Sequence, residues 1–126
     1  MSDIELQFAI EGRDRPLTCT SAINRLVYLA HLNAVTKGFW EGEYNYPEKL
    51  ALIHQEVSEL LEAYRASSLT EKCDKPINLT NEEEEMADIL IRIFDLAGKR
   101  QVDLGKAVIF KMLYNTTRPH KHGKTC

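Results

Sequence analysis

Two pairs of acidic residues, each within a segment of helical patterning, are the part of this sequence best suited to chemistry. Glu56 and Glu59 form the first pair, and Glu85 and Asp88 form the second. The i, i+3 spacing puts both members of a pair on one side of a helix. Two such helices packed together would converge four carboxylates on one point. A site made only of carboxylates favours a hard cation such as Mg²⁺, which in turn favours a phosphate-bearing substrate.

A basic segment at the end of the sequence supplies donors for such a phosphate. No Asp or Glu occurs from Leu104 onward. Lys111, Asn115 and Arg118 follow i, i+4, i+7 spacing, which places them on one face near the end of a helix, and Lys124 follows shortly after. This pattern predicts a face that binds phosphate oxygens. The alternative is an ordinary basic helix end, which the helix dipole favours.

The bulk composition limits the classes of partner. The 126 residues fit one domain with a small core, which self-association would complete. Sixteen basic and nineteen acidic residues give a net charge of −3, which argues against a nucleic-acid polymer or a membrane as partner. The three cysteines form no CxxC motif, and the N-terminus lacks the pattern of a signal peptide. We therefore expect reduced thiols and a cytoplasmic protein.

Hydrophobic periodicity predicts four helices and no convincing strand, which makes the expected fold an all-α four-helix bundle. Glu82, Glu83 and Glu84 are interpreted as compensating the dipole of the third helix, whose expected core stripe includes Met86 and Leu90. The first two predicted helices span about residues 21–37 and 47–66. The third runs from a Thr80–Glu83 capping box to a C-terminal stop at Gly98, and the fourth runs from an Asp103 cap to Pro119.

The expected domain organisation is a single unit covering residues 1–126. Residues 1–20 are weakly patterned and are interpreted as a short helix or an N-terminal arm. Residues 104–126 are interpreted as a basic helix and tail. The fourth helix carries apolar residues that include Phe110 and Met112. The second has an apolar stripe that includes Val57 and Leu61 and that we expect to face the core.

The loop between the first two helices carries the only tryptophan. Phe39 and Trp40 lie there and are candidates for stacking a nucleobase. The alternative is that both are core or subunit-interface aromatics. His31 and His54 stand alone within helical segments, and we interpret them as ordinary core or surface histidines rather than ligands.

Taken together, these motifs resemble the MazG-like, all-α nucleoside triphosphate pyrophosphohydrolases. The resemblance rests on the order of ExxE, ExxD and the Lys-Tyr-Asn-Arg-Pro tail, and it covers about residues 40–124. It implies that a ribo- or deoxyribonucleoside triphosphate is cut between its α and β phosphates, giving the monophosphate and pyrophosphate. A role in removing aberrant nucleotides is implied by the resemblance alone.

The resemblance also implies roles for individual residues. Glu59 would orient or deprotonate the attacking water. Such bundles form homodimers or homotetramers, so the tail can act on the site of a neighbouring subunit. The Mg²⁺ ligands would be Glu56, Glu59, Glu85 and Asp88, and the substrate-binding residues would be Lys111, Asn115, Arg118 and Lys124. The loop aromatic Trp40 is added to the substrate-binding residues as the candidate for stacking the base.

Two other functions stay open at this point. A non-catalytic helical module would bind nucleotides or a protein partner without turnover. The same metal-binding residues would also suit hydrolysis of another phosphoanhydride, such as phosphoribosyl-ATP. A carboxylate-bridged di-iron bundle is set aside, because no Glu precedes a His by three residues.

Overall fold

A computed structural model of the protein describes residues 18–125, and this part of the chain is all-helical. The predicted all-α class with four helices is confirmed. The described residues contain no β pairing beyond one isolated bridge between Lys72 and Thr80. The elements are α1 (Cys19–Thr36), α2 (Tyr46–Arg65), α3 (Asn81–Arg100) and α4 (Leu104–Thr116), followed by a 3₁₀ turn at His120–Gly123.

The boundaries of α1 and α3 differ from the predicted ones in two places. The expected N-terminal arm lies mostly outside the described residues, but residues 18–20 belong to the start of α1, with Thr18 as its cap. In α3, the prediction that Gly98 ends the helix is wrong. The helix continues to Arg100 and ends at Gln101, whose φ of 55° is left-handed.

The absence of a side chain at Gly98 serves helix packing instead. A Cβ built at Gly98 would lie 2.6 Å from the Cβ of His31. This glycine therefore lets α1 approach α3 closely at the point where His31 lies. A glycine near the end of a helical pattern does not by itself show whether it ends the helix or lets a neighbouring helix approach closely.

The third helix is the centre of the arrangement. It packs against both α1 and α2, whereas α4 packs mainly against α1. Among the described helices, none is both long enough and apolar enough to cross a membrane. This packing places the two acid-bearing helices, α2 and α3, side by side and puts the basic helix α4 on the α1 side of the molecule.

Local capping sets where these helices begin. Thr80 Oγ1 accepts a hydrogen bond from the Glu83 amide at 3.2 Å, and Glu83 Oε1 accepts one from the Thr80 amide at 3.0 Å. This is the predicted capping box. The Asp103 carboxylate caps α4 as predicted, by accepting from the Lys106 amide at 3.1 Å. Each cap is formed by residues close in sequence, which explains why the pattern revealed it.

The predicted core stripes are buried only in part, and the prediction is wrong for several of their residues. Met86 is 49% exposed and Leu90 51%, because α3 covers only part of its surface with α1 and α2. Val57 and Leu61 of α2 are also exposed, and so are the apolar Phe110 and Met112 of α4. The buried apolar residues among those described are Val27, Cys73, Leu96, Ala97 and Ile109.

At Gly105 the backbones of α1 and α4 approach each other closely. The Gly105 amide donates to Asn24 Oδ1 at 2.8 Å, and Asn24 Nδ2 donates to Asp103 Oδ1 at 3.0 Å. A Cβ built at Gly105 would lie 2.3 Å from the carbonyl oxygen of Thr20. The contact is with backbone, so the two helices would have to separate to admit a methyl group.

Gly105→Ala is therefore expected to lower the free energy of unfolding by about 2 kcal/mol, even though Ala is the better helix former. Urea unfolding followed by circular dichroism measures this change. Ser58→Ala, at an exposed position of α2, is the control and should stay within about 0.5 kcal/mol of wild type. A Gly105→Ala variant as stable as wild type would contradict the close contact of α1 with α4.

Candidate metal centre and adjoining cavity

Three carboxylates come together where α2 packs against α3. One oxygen from each of Glu56, Glu59 and Glu85 lies within 4.8 Å of the others. Glu56 is buried, Glu85 is half-buried and Glu59 is exposed. The i, i+3 spacing turns Glu56 and Glu59 toward α3, where Glu85 faces them. Asp88 lies outside this group of three oxygens but lines the cavity beside it together with Glu56.

The electrostatics of this group, which we call the acidic cluster (Glu56, Glu59 and Glu85), disfavour full ionisation. Burial, followed by the charges of Glu59 and Asp88, raises the pKa of Glu85 to about 7. Burial also raises the pKa of Glu56, although the hydrogen bond from Arg92 opposes that shift. Burial and the charge of Glu84 raise the pKa of Asp88. A cation among these groups would relieve their repulsion.

One oxygen of the acidic cluster is buried without a partner. Glu85 Oε2 is inaccessible to solvent and accepts no hydrogen bond from any described residue. A buried acceptor left unpaired costs about 1–3 kcal/mol, so such an atom calls for an explanation. The neighbouring ligand atoms are the carboxylate oxygens of Glu56 and Glu59, and a set of carboxylate oxygens suits a hard divalent cation. These residues therefore fit Mg²⁺.

A further acid on α3, Glu84, is also buried and was missed by the sequence analysis. Its carboxylate pairs with Lys75 from the loop between α2 and α3, and Lys75 also contacts Asp74 at 3.0 Å. The expectation that Glu84 only compensates the helix dipole is therefore wrong. Nothing in the helical pattern marks it, because its partner comes from an irregular loop.

A cavity of about 600 Å³ adjoins the acidic cluster. Its lining includes the acidic residues Glu56 and Asp88 and the aromatic residues Phe39 and Trp40. Because α3 rises about 1.5 Å per residue, Asp88 and Asp95 of this lining are roughly 10 Å apart along the helix axis. The cavity therefore extends from carboxylates to aromatic rings.

Trp40 is held in a defined orientation beside this cavity. Its Nε1 donates to Asp95 Oδ1 at 2.8 Å, and His31 Nδ1 lies 2.8 Å from the same oxygen. The rings of Trp40 and His31 meet edge to face with centroids 5.6 Å apart, and Lys49 Nζ lies 4.3 Å from the Trp40 ring centroid. His31 is thus part of the setting of Trp40, a role that its isolated position in the sequence did not indicate.

The basic residues of the tail gather around Tyr114 rather than around the acids. Lys111 Nζ lies 4.8 Å from the Tyr114 ring centroid, and the Arg118 guanidinium lies 5.7 Å from it. Arg118 Nη1 is 3.5 Å from Asn115 Oδ1. Lys124 is exposed beyond the 3₁₀ turn. None of these four side chains lines the cavity, and α4 packs mainly against α1 rather than against the acid-bearing helices.

No family model, curated protein or solved structure matches this chain significantly. The resemblance to MazG-like enzymes therefore rests on the sequence motifs alone.

Proposed function

We propose that this protein is a Mg²⁺-dependent nucleoside triphosphate pyrophosphohydrolase that converts a ribo- or deoxyribonucleoside triphosphate to its monophosphate and pyrophosphate. One observation carries this proposal. The acidic cluster has three carboxylate oxygens within 4.8 Å, one of its acids has an unpartnered buried oxygen, and it adjoins a cavity that extends to Trp40. Such a site complements a phosphate chain attached to a flat ring.

The acidic cluster would hold Mg²⁺, with Asp88 as a further ligand from the cavity wall. When bound, the ion neutralises phosphate charge and acidifies water. Glu59 is the exposed member of the cluster, so water reaches its carboxylate most easily, and Glu59 would take the proton of the attacking water. Gln55 Nε2 donates to Glu59 Oε1 at 3.3 Å and helps to orient the carboxylate.

Trp40 would bind the nucleobase. Asp95 holds the indole N–H, so the ring would offer a base only its faces, and Lys49 Nζ, which lies 4.3 Å from the ring centroid, would have to move aside on one of them. An aromatic ring restrained in this way offers a stacking platform at low entropic cost. Phe39, which is 64% exposed and lines the same cavity, would extend that platform.

A second copy of the chain would complete the site. The tail residues Lys111, Asn115 and Arg118 are separate from the acids of their own chain, so they would serve the acids of a neighbour. The half-exposed apolar residues of α2, α3 and α4 support such an assembly, because single chains in water rarely leave so many uncovered. We propose a homodimer or homotetramer on this ground.

Sedimentation velocity tests the assembly. We expect a mass of at least twice 14.4 kDa for wild type. A Leu61→Glu/Leu90→Glu variant should shift toward monomer, because both side chains are about half exposed in one chain and would be covered in the assembly. Glu62→Gln, at an exposed position of α2, is the control and should leave the mass unchanged. A monomeric wild-type protein at micromolar concentration would contradict the proposed assembly.

The activity is tested with a panel of ribo-, deoxyribo- and oxidised nucleoside triphosphates in Mg²⁺, with chromatography of the products. We expect monophosphate and pyrophosphate in equal amounts and no turnover in EDTA. Phosphoribosyl-ATP belongs in the same panel, and selective cleavage of that compound would assign the site to a different phosphoanhydride. Nucleotide binding without turnover would assign the protein to the class of non-catalytic modules.

A further inference from the structure

We infer that Arg92 binds the phosphate next to the sugar of the bound nucleotide, and so connects the acidic cluster with the Trp40 end of the cavity. The sequence motifs that indicate the metal ligands and the basic tail do not include this residue. The inference rests on the proposed function, since it assigns one contact within the same substrate complex.

Arg92 contacts the acidic cluster and the cavity at once. Its Nε donates to Glu56 Oε1 at 2.9 Å, and the arginine side chain also lines the cavity. The side chain of Glu56 is only 9% exposed, whereas that of Arg92 is 36% exposed. Glu56 thus restrains a guanidinium that is still open to a ligand.

The terminal nitrogens of Arg92 are available for that ligand. Within residues 18–125, the hydrogen bond from Nε to Glu56 is the only one that this guanidinium makes. The remaining N–H groups form a planar fork that matches two oxygens of a phosphate group. A guanidinium restrained at one edge and unpaired at the others is suited to bind an anion in the cavity.

The position of Arg92 along α3 selects which phosphate it would bind. Asp88 precedes it by about one helical turn and Asp95 follows it by nearly one turn, and all three line the cavity. Asp95 holds Trp40, and Asp88 lies beside the acidic cluster. Arg92 therefore lies between the base-binding end and the metal-binding end. In a nucleoside triphosphate, the anionic group between those ends is the phosphate attached to the sugar.

Other cations near this region already have partners. Lys49 lies over the Trp40 ring and donates to the Phe39 carbonyl at 3.4 Å. Lys75 is paired with the buried Glu84. Of the described cations that line the cavity, Arg92 is the one that is also bound to a carboxylate of the acidic cluster.

The competing explanation is that Arg92 only holds Glu56 in place. The two roles predict different results for binding of the metal alone. If Arg92 only positions Glu56, its removal disorders a metal ligand and weakens metal binding. If Arg92 binds phosphate, its removal takes a positive charge away from the acidic cluster, and metal binding stays equal or becomes tighter.

The first test compares the four deoxynucleosides with their 5′-monophosphates by titration calorimetry in Mg²⁺ buffer. We expect wild type to bind a monophosphate about 10- to 100-fold more tightly than its nucleoside. Arg92→Gln should bring the two affinities to within about threefold while leaving nucleoside binding unchanged, and Arg92→Lys should retain part of the difference. Arg65→Gln, at an exposed position at the end of α2, is the matched control and should behave as wild type.

The second test titrates Mn²⁺ into each protein without nucleotide and follows free Mn²⁺ by electron paramagnetic resonance. We expect Arg92→Gln to bind Mn²⁺ as tightly as wild type or more tightly. Loss of Mn²⁺ binding in this variant, or a full monophosphate preference, would overturn the inference and leave the proposed function standing. A wild-type protein that binds neither nucleosides nor monophosphates would overturn the proposed function as well.

Discussion

Glu59→Gln is expected to lower kcat by about 10³-fold or more while leaving helicity and oligomer mass unchanged. The amide keeps the shape of the side chain but loses the charge that holds a cation and the basicity that accepts a proton. General base catalysis alone contributes about 10²- to 10⁴-fold, and the loss of a metal ligand adds to that. Steady-state pyrophosphate release, circular dichroism and sedimentation measure the three quantities.

Two further substitutions sharpen this prediction. Glu62→Gln removes an exposed carboxylate three residues further along the same helix, outside the group of three oxygens, and should retain full activity. Asp88→Asn should lose activity to a similar extent as Glu59→Gln. Wild-type kcat in both Glu59→Gln and Asp88→Asn would refute the assignment of these carboxylates to the metal centre.

Without divalent ions, the protein should become less stable as pH rises from about 5 to 8. The folded chain holds the proton of Glu85 up to a pKa of about 7, compared with 4.5 for the unperturbed group. Between these values the folded state binds more protons than the unfolded state, so the free energy of unfolding falls with rising pH. The difference corresponds to at most about 3 kcal/mol, reduced where solvent reaches the cluster.

Urea unfolding in EDTA across this pH range measures the effect. Adding Mg²⁺ at pH 8 should restore stability, because an ion that binds the folded state stabilises it by mass action. Glu85→Gln should flatten most of the pH dependence, with the raised pKa values of Glu56 and Asp88 accounting for the remainder. Glu62→Gln serves again as the control and should keep the wild-type slope. A wild-type stability that is independent of both pH and Mg²⁺ would contradict a strained acidic cluster.

The helices and their caps were predictable because they depend on neighbours in sequence. The Thr80–Glu83 capping box joins residues three apart, and the Asp103 cap contacts Lys106, also three residues away. The same short-range geometry put Glu56 and Glu59 on one side of α2. Interactions of this range leave a periodic pattern that can be read without knowledge of the fold.

The roles that the sequence did not indicate depend on surroundings outside the same helix. His31 meets Asp95 across 64 positions, and Gly98 serves the same contact between α1 and α3. The buried Glu84 is neutralised by a lysine of an irregular loop. Exposed residues such as Leu90 carry the apolar signature of a core position, although one chain does not cover them. Helical periodicity indicates that one face of a helix is apolar, but it does not indicate which surface packs against that face.

The order of residues along the chain was enough to specify four helices, the caps that begin α3 and α4, and the side of α2 that carries Glu56 and Glu59. The packing of α3 against α1 and α2 then brought three carboxylate oxygens within 4.8 Å, placed Arg92 on Glu56 and attached Trp40 to Asp95. The Arg92–Glu56 and Trp40–Asp95 contacts span 36 and 55 positions. Contacts of that separation depend on which helices become neighbours, and helical periodicity carries no information about that choice.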